Sequence, residues 1–346
     1  MADDYVKNVK ERFPQKIVLD ELNRLKGLKV LVIGDSIIDE YVFTKPKGRA
    51  VKDPILSLDF IRSERYPGGI MAIANHISNF VDNLSMITLV GDYNSNKKFI
   101  RKTLNKKIKI KFFTKKNSPT CVKKRYIDYL RGGKLMKVEY INDENIDKKT
   151  EQKIVSYLRK ELPRYDLVIV GDFGHGFITA GVVKALEKYS KSLSANIQTN
   201  SSNMGFNYIT KFSRLDYLGS NEQEVRLAMG ERFADLEVLL HNLKKRTRFR
   251  NILLTRGMFG CMYISDSQKI YTGPALTNDI KDVIGAGDAV FAVTSLLNHI
   301  KADGDMIIFL ANVIGGVAVS TMGNKKDISK RRIMGFIGGL DGLGAV

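Results

Sequence analysis

Short apolar runs closed by glycine recur along the chain. Segments 29–35 (KVLVIGD), 86–92 (MITLVGD), 167–172 (LVIVGD), 217–221 (YLGSN) and 251–257 (NILLTRG) each end in Gly-Asp, Asn or Arg-Gly. Aliphatic runs without polar alternation are what strands buried on both faces of a parallel sheet require. Helical periodicity over 150–162 and 181–189 supplies crossovers between such strands. The pattern predicts an α/β fold, a mainly parallel central sheet with helices on both faces. Ligands of such sheets gather beyond the carboxyl ends of the strands, which is where Asp35, Asp172, Asn221 and Gly257 fall.

Two segments break this rhythm. Residues 41–66 and 118–140 alternate polar and apolar positions with Gly and Pro punctuation, the signature of antiparallel ribbon. They predict a small β lid, discontinuous in sequence, beside the main sheet. An apolar outer face on that lid would favour a homodimer by sheet-to-sheet packing. The glycine-rich stretch 335–346 reads as a tail, or as a linker to a second catalytic domain such as a nucleotidyltransferase. With 44% hydrophobic residues, the 346-residue chain can bury the core of one large domain spanning 1–346.

Residues 1–24 are rich in charge and read as lacking an apolar core, and no run of about 18 apolar residues occurs. A soluble, cytoplasmic protein with no membrane partner is expected. Cys121 and Cys261 are far apart and lie in no Cys/His cluster, which argues against a disulfide framework or a structural zinc. The net charge is +19, and residues 97–137 hold sixteen Lys or Arg against one acidic residue, Asp128. That region either attracts anions, as phosphorylated metabolites or nucleic acid, or is a solvated lysine-rich surface. No sequence-reading motif for nucleic acid accompanies it, so no specific nucleic-acid partner is expected.

The strongest local signal is DVIGAGD at 282–288, followed by the apolar stretch 289–297. Small residues at the start of a buried helix leave backbone N–H groups free to bind an anion. Gly285, Ala286 and Gly287 would then stabilise charge on a transferred phosphate, and Asp288 would accept the proton of an attacking hydroxyl. The plainer alternative makes Asp288 a helix cap and the glycines a turn.

The 282–288 segment resembles the D-T-x-G-A-G-D signature of the PfkB, or ribokinase-like, carbohydrate kinases, with Val283 where Thr is usual. The resemblance implies that Asp288 is the catalytic base and Gly285, Ala286 and Gly287 the anion hole. It extends in family order over the chain. Asp39, after Gly34-Asp35, is similar to the family's sugar-binding Asp, and Gly68 and Gly69 to its sugar-facing glycine pair. Asn221 and Glu224 match its N-x-x-E, which implies magnesium held indirectly. Thr255 and Gly257 match its T-x-G at the nucleotide, and Asn312 a nucleotide-side asparagine.

The likeness reaches the bacterial kinases of D-glycero-D-manno-heptose 7-phosphate, which act in nucleotide-sugar synthesis. Residues 119–125 (PTCVKKR) resemble their P-T-x-T-K-x-R ribbon, implying that Lys123 and Arg125 grip a substrate phosphate from one strand face. Arg49 with 53–55, and Asp172 with 173–176, match two further substrate segments. Ala72 departs from the family's G-G-x-x-N, and the polar loop 200–207 is expected to supply replacement contacts. The resemblance thus implies transfer from ATP, with Mg2+, to a sugar or sugar-phosphate hydroxyl. Two rivals are a catalytically weak sugar-binding or regulatory protein of the same fold, and a nucleic-acid binder using Lys97–Lys137.

Overall fold

A computed structural model describes residues 2–340. Its strands are β1 (Lys29–Arg49), β2 (Leu56–Gly69), β3 (Asn83–Tyr93), β4 (Lys109–Pro119), β5 (Cys121–Asp128), β6 (Lys134–Tyr140), β7 (Leu167–Asp172), β8 (Leu193–Ile197), β9 (Arg214–Asn221), β10 (Arg248–Thr255), β11 (Cys261–Ile264) and β12 (Ile270–Gly273). The helices are α1 (Ala2–Arg12), α2 (Gln15–Arg24), α3 (Ile70–Ser78), α4 (Lys97–Thr103), α5 (Lys148–Glu161), α6 (Ala180–Tyr189), α7 (Glu222–Met229), α8 (Leu236–Arg246), α9 (Ala286–His299), α10 (Gly304–Val319) and α11 (Lys330–Gly339).

The main sheet runs in the order β12-β11-β10-β9-β8-β7-β1-β3-β4. From β10 to β4 every pairing is parallel, and in this sheet only the β10–β11 and β11–β12 pairings are antiparallel. One apolar layer packs α2, α3, α9 and α10 on one face, and a second packs α5, α6 and α8 on the other. The glycine-terminated runs are therefore the buried strands, as their unbroken hydrophobicity requires.

β1 belongs to two sheets. Residues 29–35 pair with β3 in the main sheet, and from Ser36 onward the strand pairs antiparallel with β2. β5 joins its other edge in parallel from Ile37, and β6 follows antiparallel. The resulting lid, in the order β2-β1-β5-β6, is thus anchored by continuous backbone to the carboxyl end of the main sheet.

Two terminal expectations need correcting. The first 24 residues do carry apolar core positions: Val9, Val18 and Leu22 are buried, on helices whose charged residues fill the remaining faces. Each such side chain contributes about 1.5–3 kcal/mol on burial. At the other end, Gly335, Gly338 and Gly339 lie in α11, whose Ile333 and Ile337 are buried in the core, so the glycine-rich stretch is helical as far as Gly339. The rest of it, 341–346, lies outside the described residues. No described helix is long and apolar enough to cross a membrane.

Gly34 and Gly171 face each other where β1 meets β7. A Cβ on Gly34 would lie 2.0 Å from the Gly171 carbonyl oxygen, so only glycine lets these strand ends pair. Gly34→Ala is expected to lower stability by about 1–3 kcal/mol in urea unfolding, as overpacking does. Gly27→Ala, whose Cβ would meet nothing within 4 Å, serves as the control and is expected to be near neutral.

Candidate active site

The site forms around the N-terminus of α9. This helix is apolar on nearly every side and buried from Asp288 to Leu297, so its first turn is fixed by packing. Gly285 precedes it with φ of +81°, in the left-handed region, and no side chain caps it. A Cβ there would stand 2.2 Å from Asn324 Oδ1. The Ala286 amide donates to the Val283 carbonyl at 3.3 Å, whereas the amides of Gly285, Gly287 and Asp288 have no hydrogen-bond partner among the described residues. Free donors at a helix N-terminus are suited to an anion.

Asp288 is buried beside these amides and lines a cavity of about 270 Å³. Its Oδ1 accepts from Gln198 Nε2 at 2.6 Å. Burial pushes its pKa up, the charges of Asp39 and Glu224 add to this, and the Gln198 bond and Lys123 oppose it, for a value of about 7. A carboxyl poised there is suited to general-base work near neutrality.

The lid supplies the opposite wall. Asp39 of β1 and Lys123 and Arg125 of β5 line the cavity, and Arg125 donates to Asp39 Oδ1. Lys123 lies 3.7 Å from Glu139 of β6. The glycine pair at the end of β2 makes room here, since a Cβ on Gly68 would lie 2.3 Å from Asp39 Oδ2, and Gly69 has φ of +57°.

Asn221 and Glu224 line the same cavity from the end of β9 and the start of α7. They form a reciprocal cap: Asn221 Oδ1 accepts from the Glu224 amide at 2.8 Å, and Glu224 Oε2 from the Asn221 amide at 3.0 Å. Glu224 also accepts from Ser220 Oγ and the Thr199 amide. With their oxygens so occupied, both residues fit an outer role toward a phosphate-bound cation, through water, rather than direct ligation. No group of three or more His, Cys, Asp or Glu able to hold a metal occurs among the described residues.

A second, apolar cleft of about 360 Å³ adjoins this cavity, lined by Gly257, Met258, Leu276, Ile280, Ala311 and Asn312. Thr255, Val283, Gly287 and Val290 border both spaces. A flat apolar group in the cleft could therefore extend a charged tail past Gly287 toward Asp288. The description "pfkB family carbohydrate kinase" matches residues 28–331.

The chain belongs to the pfkB family of carbohydrate kinases. Among curated proteins it is similar to the bifunctional protein HldE of Pelobacter propionicus, 23% identical over 315 residues that cover 89% of this chain and 63% of the relative. The corresponding protein of Nitratiruptor is 26% identical over 301 residues, covering 85% and 62%. The chain thus spans less than two thirds of the length of these relatives. Among solved structures, phosphofructokinase-2 from Escherichia coli in complex with fructose-6-phosphate superposes with a TM-score of 0.70 at 9% identity, covering 91% of this chain and 99% of that one. Ribokinase from Thermotoga maritima gives 0.67 at 14%, covering 90% and 99%. Such identities show the ribokinase-like fold.

Two residues expected in the kinase's substrate site stand elsewhere. Arg49 pairs with Leu56 at the far, exposed end of the lid ribbon, about ten strand residues and some 30 Å from Asp39. Asp172 is buried outside the cavity, where Lys211 and the Gly174 amide take its carboxylate. The polar loop after β8 is also used differently from expectation. Asn200 and Asn203 donate to the Phe173 carbonyl, both at 2.8 Å, and Asn207 to that of Gln198 at 3.1 Å, so these side chains hold the loop. Gln198, Thr199 and Asn196 line the cavity and went unnoticed in sequence, because β8 is a short strand with interspersed polar residues.

Asp282 ties the lid to the turn that precedes α9. It accepts from Tyr41 at 3.0 Å, Lys134 at 2.8 Å, and the amides of Ile284 and Gly323 at 3.2 and 3.0 Å. Burial raises its pKa, but Lys134 and these amides outweigh that and hold it below the usual carboxylate range. Tyr41→Phe removes one donor from this buried carboxylate, and an unfolding free energy lower by about 1–2 kcal/mol is expected in urea titration.

Proposed function

We propose that the chain transfers the γ-phosphate of ATP to a hydroxyl of a sugar phosphate of the heptose type, with Asp288 as general base. The observation that carries this reading is the meeting, in one cavity, of the Asp288 carboxylate, the free amides at the start of α9, and the lid cations Lys123 and Arg125. The bifunctional HldE relatives support the choice of acceptor.

In this mechanism the apolar cleft near Gly257 and Asn312 takes the adenine, and the phosphates run past Thr255 to the turn at Gly287. The acceptor lies under the lid, its hydroxyls against Asp39 and the Gly68-Gly69 backbone, and its own phosphate attracted by Lys123 and Arg125. Asp288 takes the proton of the attacking hydroxyl. Gly285 and Gly287 present their free N–H groups to the phosphoryl oxygens as charge develops, the Ala286 amide being held by the Val283 carbonyl, and the lid keeps water from competing. A magnesium ion travelling with the nucleotide would neutralise phosphate charge, with Asn221 and Glu224 as its water-mediated partners. The lid strands also carry exposed Phe60, Leu135 and Met136, which supports pairing of two lids in a homodimer.

Asp288→Asn is expected to reduce kcat by about 10³-fold or more while the Kd for ATP stays within about threefold, as measured by coupled ADP release and by titration of nucleotide binding. Retained turnover would refute the base assignment. In the unaltered chain the base must be ionised, and a carboxyl titrating near 7 is protonated below that pH. Accordingly kcat/KM should rise with pH through about 7 and level off above it. A substrate panel tests the acceptor: D-glycero-D-manno-heptose 7-phosphate should give a higher kcat/KM than the unphosphorylated heptose, and the reverse order would contradict a sugar-phosphate substrate.

A further inference from the structure

Three hydrogen bonds give one side chain a fixed direction. The Gly219 carbonyl can only accept, so the Asn196 amide facing it at 2.8 Å must present Nδ2. Asn196 Oδ1 then points away and accepts from Gln198 Nε2, also at 2.8 Å. The other hydrogen of that nitrogen goes to Asp288 Oδ1, 2.6 Å away. Turning the Gln198 amide over would set its oxygen against two acceptors. The chain from Gly219 therefore has a single polarity, and it ends as a donor to Oδ1. A proton on Oδ1 would point at an NH₂ group that has no lone pair to accept it, whereas Oδ2 has no hydrogen-bond partner among the described residues.

We propose that Gln198 is a positioning residue for phosphoryl transfer: its amide holds Asp288 by Oδ1 and leaves Oδ2 as the oxygen that takes the proton of the attacking sugar hydroxyl. This rests on the reading of Asp288 as general base. The proton passes from the hydroxyl to Oδ2 as the sugar oxygen forms its bond to the γ-phosphorus. The bond from that phosphorus to the bridging oxygen breaks, and its electron pair leaves with ADP. The other charged groups acting on Asp288 are Asp39 on β1, Glu224 on α7 and Lys123 on β5. They shift the balance between carboxylate and acid, but none is hydrogen-bonded to Asp288, so none distinguishes its two oxygens.

The direct test is titration of the Asp288 carboxyl by ¹³C NMR in the full chain without substrate, the signal being identified by its loss in Asp288→Asn. In Gln198→Met, which keeps length and removes the donor, the midpoint should rise by about one to two pH units. Gln198→Asn, a milder change that shortens the reach, should move it the same way by less. The acid limb of kcat/KM for heptose 7-phosphate should shift with the NMR midpoint, while the KM for ATP stays within about threefold. A purely structural role would lower activity at every pH without moving that midpoint. An unmoved midpoint in both variants, with Asp288→Asn inactive, overturns the inference and leaves the base assignment standing. Turnover retained in Asp288→Asn instead overturns the base assignment, and the inference with it.

Discussion

The fold is organised around a helix that starts without a cap. α9 is buried on nearly every side, and the amides of Gly285, Gly287 and Asp288 in its first turn have no protein partner among the described residues. An unpaired N–H sealed in a protein interior costs about 1–3 kcal/mol, so such a terminus is tolerable only where it opens on a space that water or an anion can fill. Much of the surrounding architecture preserves that opening. Asn324 stands where any Cβ on Gly285 would go, which restricts the position to glycine. Asp282, just before the turn, gathers donors from the lid and from the loop at Gly323, so the turn and the lid share one anchor.

The charges of the cavity follow from the same geometry. Asp39 is paired with Arg125, Lys123 lies beside Glu139, and Asp282 is met by Lys134. Asp288 has no cationic partner within ion-pair distance among the described residues, only the neutral amide of Gln198. A buried carboxylate without a counter-ion is destabilising in the charged form, and this is what lifts its proton affinity toward neutrality. The arrangement exchanges local stability for basicity, and it sits where the apolar cleft and the lid cavity meet.

The strands of the main sheet were legible because burial on both faces leaves unbroken aliphatic runs, and the 282–288 turn because its small residues precede a helix with no polar face. The lid was legible as alternation, although β1 passes from sheet to lid without a break, the apolar run closing at Gly34-Asp35 while the strand itself continues. Other features depend on contacts distant in sequence. Arg49 and Asp172 matched family motifs, but the length of the β1–β2 ribbon carries Arg49 away, and Lys211, 39 residues downstream, captures Asp172. The role of Gln198 could not be seen locally either, since it arises where the end of β8 meets a helix 90 residues later. The N-terminal helices hid their core positions behind charge, because only a narrow face of each is buried.

The central claim, that the first turn of α9 receives the transferred phosphoryl group beside Asp288, is tested most directly by a crystal structure with ADP, magnesium, aluminium fluoride and a sugar phosphate. The account predicts the fluoride plane within hydrogen-bond reach of the Gly285 and Gly287 amides, and the acceptor hydroxyl against Asp288 Oδ2. A fluoroaluminate lying away from that turn, with Asp288 still bonded only to Gln198, would contradict it.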